Sequence, residues 1–158
     1  MSERAVPLRL PGMAWPAGSP EPFIVSSEQR TFVGFFPSDD DSRTSGSEEV
    51  IVVELARCTS IKFGFPNDEA LHGHPLYEAG LTHYQLHEVL DSAWLTQLRA
   101  IEAVHPWAPE VPFRSARHFV FTFHDSTLEA IAVDVSLVGS YGSRAEAVEQ
   151  MATLAGLG

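Results

Sequence analysis

His118-Phe-Val-Phe-Thr-Phe-His124, followed by Asp125-Ser126-Thr127 and the apolar run Leu128 to Leu137, is the stretch that decides the class of fold. A Phe stands at every second position of the first segment, which is the period of a strand with one face in a core. Asp125-Ser126-Thr127 is turn chemistry, so the stretch predicts an antiparallel hairpin. With the loop at Asp125-Ser126, Phe123 faces Leu128, Phe121 faces Ala130 and Phe119 faces Ala132, and one face is wholly apolar. The other face carries His118, Val120, Thr122 and His124 beside Thr127, Glu129 and Ile131. Any loop of even length keeps His124 and Glu129 on one side.

Working outward, Asp91-Ser92 caps a helix from about Ala93 to Val104. Its apolar stripe is Trp94, Leu95, Leu98, Ile101 and Val104, and Pro106 stops it. Before it, His83 to Val89 reads as a strand by the alternation of Tyr84 and Leu86 with Gln85 and His87. After the hairpin, Ser143-Arg-Ala-Glu146 is a capping box that opens a helix to Ala155, with Val148, Met151 and Ala155 on one face. Phe23 to Val25 and Thr31 to Phe36 are short strands around a polar turn. Val50 to Leu55 is a strong strand that continues through Ile61 and Phe63. Residues 38–49 form a polar, acidic loop, and Gly64 to Gly80 is irregular. Residues 1–22 hold five prolines and form an extended arm, whose Leu8, Leu10, Met13 and Trp15 can lie over the core. The expected fold is α+β: a mostly antiparallel sheet packed against one central and one C-terminal helix, in a single domain over residues 23–158.

The 158 residues are 44% hydrophobic, enough for a core. Ten basic residues against 21 acidic ones give a net charge of −11, which argues against nucleic-acid and anionic-membrane partners. No apolar run exceeds four residues, so no membrane span is expected. The start, Met-Ser-Glu-Arg, lacks a secretory pattern, and the lone Cys58 forms no internal disulfide. A cytoplasmic protein is expected, with Cys58 a buried, inert thiol.

Seven histidines invite a chemical reading. A Glu beside a His fixes the imidazole tautomer and raises its basicity, so His124 and Glu129 suit general acid–base work. A half-exposed hairpin rim accounts for them equally well. His74 lies in a second cluster, Asn67-Asp-Glu-Ala-Leu-His-Gly-His74, whose Gly73 lets the backbone approach a ligand. His72, His74 and Glu78 have the spacing of a metal-chelating segment, and Asn67 and Asp68 alternatively make only a turn. His83 and His87 are expected to face solvent or a partner. No phosphate-binding glycine loop, Gly-x-Ser-x-Gly elbow or CxxC pair occurs.

The strings Pro66-Asn-Asp-Glu-Ala70, Gly73-His-Pro-Leu76, Asp91-Ser-Ala-Trp94 and Phe121-Thr-Phe-His-Asp-Ser-Thr-Leu-Glu129 resemble a family of small, uncharacterised bacterial proteins. The resemblance spans about residues 60–133 and implies no activity. The His72-x-His74-x3-Glu78 order is also similar to the first metal motif of cupins, although the preceding glycine spacing differs. Three functions compete. The first is a small enzyme without organic cofactor, of lyase, isomerase or cyclase type, acting on a polar metabolite. It would use His74, His124 and Glu129, with Asn67, Asp68 and Asp125 positioning substrate. The second is a protein-binding or regulatory module, and the third is a metal-dependent enzyme at His72 and His74.

Overall fold

The computed structural model describes residues 2–13, 19–37, 49–106 and 111–158. Trp15 and most of the acidic loop lie outside them. The described strands are β1 (Arg4–Leu8), β2 (Phe23–Ser26), β3 (Thr31–Phe35), β4 (Val50–Ala56), β5 (Ser60–Gly64), β6 (Leu86–Leu90), β7 (Arg117–Thr122), β8 (Thr127–Ala132) and β9 (Asp134–Tyr141). The helices are α1 (Ala93–Glu102), α2 (Val111–Arg114) and α3 (Arg144–Leu154), with a 3-10 helix over Asp68–Gly73. The chain is α+β and its strand pairs are antiparallel, as the hairpin implies.

The single expected sheet is two. One runs β1-β6-β7-β8-β5 and the other β2-β3-β4-β9. The Val50–Phe63 stretch crosses between them: Ala56 pairs with Asp134 in one sheet, and Ser60 pairs with Ile131 in the other. A two-stranded ribbon thus bends around a corner of the sandwich, with Arg57 at a positive φ of 49° in the bend. Between the sheets lies the core. Phe119, Phe121, Phe123, Leu128, Ala130 and Ala132 meet Val33, Phe35, Val53 and Leu55 there. Each buried Phe or Leu contributes roughly 1.5–3 kcal/mol, so the alternating Phe segment anchors the fold.

Both outer faces are covered. Ala147, Met151 and Ala155 of α3 lie on Phe32, Val50 and Val52, and Ala147 takes the place expected of Val148, which is exposed. On the other sheet, Leu95 of α1 covers Ile131, while Leu71, Leu76 and Leu81 cover Val89 and Val120. The α1 stripe is shorter than its sequence suggests: the helix ends at Glu102, and Ile101 and Val104 are 66% and 82% exposed. The expected arm is not separate either. Arg4 to Leu8 pairs with β6 as an edge strand, where Pro7 is tolerated. Gly80 closes the covering segment onto it; a Cβ at its φ of +113° would lie 2.7 Å from the Ala5 carbonyl oxygen. No described helix is long and apolar enough to cross a membrane.

Candidate active site

The hairpin turn sits one residue earlier than the sequence reading placed it. Thr122 pairs with Thr127, and the Phe123 N–H donates to the Ser126 carbonyl at 2.9 Å, so His124-Asp125 form the connection. Face parity survives, because the loop stays even. The neighbours change: Glu129 now pairs with Val120, and its diagonal neighbour on the same face is His118. His124 is lifted into the turn and does not pair with Glu129. His118, not assigned a role by sequence, does.

Glu129 accepts from two imidazoles. Its Oε1 lies 2.9 Å from His118 Nε2 and its Oε2 lies 3.1 Å from His74 Nε2. The His74 contact joins the irregular segment to the hairpin. That segment is held there by Asp68 N–H to the His124 carbonyl, 2.9 Å, and Thr127 Oγ1–H to the Pro66 carbonyl, 2.9 Å. The three side chains are largely buried, at 13%, 2% and 6% exposure for Glu129, His118 and His74. Burial acts on the Glu129 carboxyl most strongly and raises it, but hydrogen bonds from His118 and His74, with their charge, outweigh this and bring it down to about 2.

An ionised Glu129 has no proton to give, so both Nε2 atoms are donors. The Leu76 N–H donates to His74 Nδ1 at 3.0 Å, which confirms the Nε2–H form of that ring. At His118 the other nitrogen faces Ser92 Oγ at 2.8 Å. Ser92 caps α1, as expected, by accepting from the Leu95 N–H at 3.1 Å. Trp94 meets the His118 ring edge-on at 5.2 Å, and Lys62 Nζ stands 4.0 Å from the Trp94 ring centre. A continuous chain therefore runs Ser92–His118–Glu129–His74.

His74 and Glu129 open onto a cleft of about 580 Å³, whose walls include Phe65, Asn67, Glu69 and His72. Asn67 also caps the 3-10 helix, its Oδ1 accepting from the Ala70 N–H at 3.1 Å. Glu78 is exposed and is not on this wall. Among the described residues no three His, Cys, Asp or Glu side chains are grouped to hold a metal ion.

His124, Asp68 and Asp125 form a second cluster at the hairpin turn, and none of them lines this cleft. His124 Nδ1 is 2.9 Å from Asp125 Oδ1 and its Nε2 is 3.7 Å from Asp68 Oδ2. Tyr84, at a positive φ of 55°, donates its hydroxyl to Asp68 and stacks on the His124 ring. The hydrogen bond to Asp125 raises the imidazole above its ordinary value; burial opposes this, and the charges of Asp68, Asp125 and Glu69 add to it. Tyr84 lowers Asp68 in turn. That positive φ also removes residues 83–85 from the expected strand, which starts at Leu86. His87 is fully buried, not solvent-facing. Thr82 N–H donates to its Nε2 at 3.1 Å, and burial lowers its pKa.

Comparison with known protein families, curated proteins and solved structures finds no match to this chain.

Proposed function

We propose that this chain is an enzyme without an organic cofactor that moves protons on a small polar metabolite, as a lyase, isomerase or cyclase, at the Glu129–His74 wall of the cleft. One observation carries the reading: a buried, ionised carboxylate shared by two imidazoles stands at the edge of a cleft of about 580 Å³. By accepting both Nε2 protons, Glu129 leaves Nδ1 as the basic nitrogen of each ring. At His74 that nitrogen takes a substrate proton in exchange for the Leu76 N–H, and Glu129 neutralises the imidazolium that forms. Glu69 and Glu129 line the cleft and, among the described residues, no Lys or Arg does, which favours a neutral or cationic substrate over an anionic one. Asn67 positions substrate at the cleft, and Asp68, Asp125 and the raised His124 act from the neighbouring hairpin turn. The half-buried Cys58, whose thiol burial raises, accords with a cytoplasmic setting.

The test is incubation of the full chain with a cytoplasmic metabolite extract, followed by mass spectrometry, with Glu129→Gln in parallel. A neutral or cationic metabolite consumed by the wild type and spared by Glu129→Gln is expected. Identical extracts from both proteins would overturn the reading.

A protein-binding role is the second reading, favoured by Phe63 and Phe65. They are 48% and 89% exposed at the end of the edge strand β5. A stoichiometric partner lost in Phe65→Ala and retained in Glu129→Gln would support it.

A further inference from the structure

We propose that Ser92, His118 and Glu129 act as a serine nucleophile, its general base and the carboxylate that orients the base, and that the chain cleaves small esters through an acyl-enzyme at Ser92. The inference rests on the same His118–Glu129 pair as the cleft reading, but uses the opposite end of the hydrogen-bonded chain.

Four observations converge. Ser92 Oγ lies 2.8 Å from His118 Nδ1, and His118 Nε2 lies 2.9 Å from Glu129 Oε1, both within the reach that such triads require. Capping accounts for the Leu95 N–H that Ser92 accepts, but not for an imidazole aligned behind it by a carboxylate. Because that cap uses only a lone pair, the hydroxyl proton remains free to point at Nδ1. Second, Ser92 follows β6 through Asp91 at a positive φ of 56° and opens α1, so a sharp strand-to-helix turn presents it. Third, Ser92 is 5% exposed and forms part of the wall of a separate cleft of about 520 Å³, in which Leu90, Leu95 and Ala116 stand beside the charged Glu88, Arg99 and Arg117. Fourth, the neighbouring Ala93 N–H already donates to an anionic oxygen, Glu3 Oε1, at 2.7 Å. That amide is placed to receive an oxyanion, and Glu3 occupies it in the resting chain.

In the reaction Ser92 Oγ bonds to the ester carbonyl carbon while its proton passes to His118 Nδ1. The carbonyl oxygen takes the negative charge and displaces Glu3 from the Ala93 amide. Collapse breaks the carbon–alkoxide bond, and His118 returns the proton to the departing alcohol. Water then attacks the acyl group by the same route, giving the free acid and restoring the Ser92 hydroxyl. The open, partly apolar wall suits short acyl groups. Glu129 is a positioning residue here, since it touches His118 and not the substrate.

The experiment is labelling of the full chain with a fluorophosphonate probe, located by peptide mass spectrometry, alongside hydrolysis of p-nitrophenyl acetate. One adduct on the Ser92 peptide is expected. Ser92→Asn, which retains a helix-capping side chain, should lose it. His118→Gln should slow labelling on the order of 100-fold or more, the usual contribution of a general base. Glu3→Ala, which removes the acceptor, should speed hydrolysis by freeing the Ala93 amide. A folded wild type that stays unlabelled, an adduct on another serine, or equal labelling of His118→Gln would overturn the inference. Loss of metabolite consumption in Glu129→Gln without any Ser92 adduct would overturn it as well, and would leave the cleft reading standing.

Discussion

Burial raises the Glu129 carboxyl, yet two imidazole N–H groups hold it ionised. Its folded value of about 2 lies below the ordinary 4.5, so protons bind the unfolded chain first as the pH falls. The stability that its ionisation confers is therefore full above about pH 4.5 and is lost as the pH falls towards 2. Glu129→Gln should cost on the order of 2–3 kcal/mol at pH 7 in urea denaturation, with the gap to wild type closing over that window. A gap independent of pH would refute this. At the hairpin turn the sign is opposite, since His124 is raised by Asp125 and Asp68. Its imidazole resonances should titrate above the ordinary 6.5, and Asp125→Asn should bring them back towards it. The sequence carried His74 and Glu129 to the site, but paired Glu129 with the wrong hairpin histidine. A turn centred one residue earlier moves the partner of Glu129 from Thr122 to Val120, which exchanges the diagonal neighbour His124 for His118. Parity is fixed by the alternating Phe residues; register within that parity is set by turn and core packing, which alternation does not encode.

Among the elements, those with local signals were legible. Ser92 and Ser143 cap α1 and α3 through the Leu95 and Glu146 amides, as the residue pattern implies. Ser143→Ala should cost about 1 kcal/mol of stability with no effect on the Glu129 cluster, measurable by thermal unfolding. Elements fixed by distant partners were not legible. β1 looks like a proline-marked arm because its strand character comes from pairing with β6, more than 70 residues away. The bend after β4 is likewise set by β8 and β9. Gly80 is where the covering segment meets β1. Gly80→Ala forces a Cβ against the Ala5 carbonyl at a φ that disfavours side chains, so a loss above about 1 kcal/mol is expected. Wild-type stability in that variant would mean the segment is not clamped to β1.

Across the molecule, the sandwich core and the Glu129 cluster lie on opposite faces of the same two strands. Phe121→Ala, on the inner face, should cost roughly 3–5 kcal/mol, whereas Phe65→Ala, on the cleft wall, should change stability by less than about 0.5 kcal/mol. Division of labour by strand face allows the inner side to hold the fold while the outer side gathers Glu129, His118, His74 and Ser92 from β8, β7, the covering segment and the head of α1. The carboxyl-carbon titration of Glu129 by NMR, read together with the ring-nitrogen shifts of His74 and His118, tests that arrangement most directly. A Glu129 carboxylate that stays ionised to about pH 2, with both rings carrying a proton on Nε2, is the expected result. Titration near the ordinary 4.5, with the rings exchanging between tautomers, would contradict it.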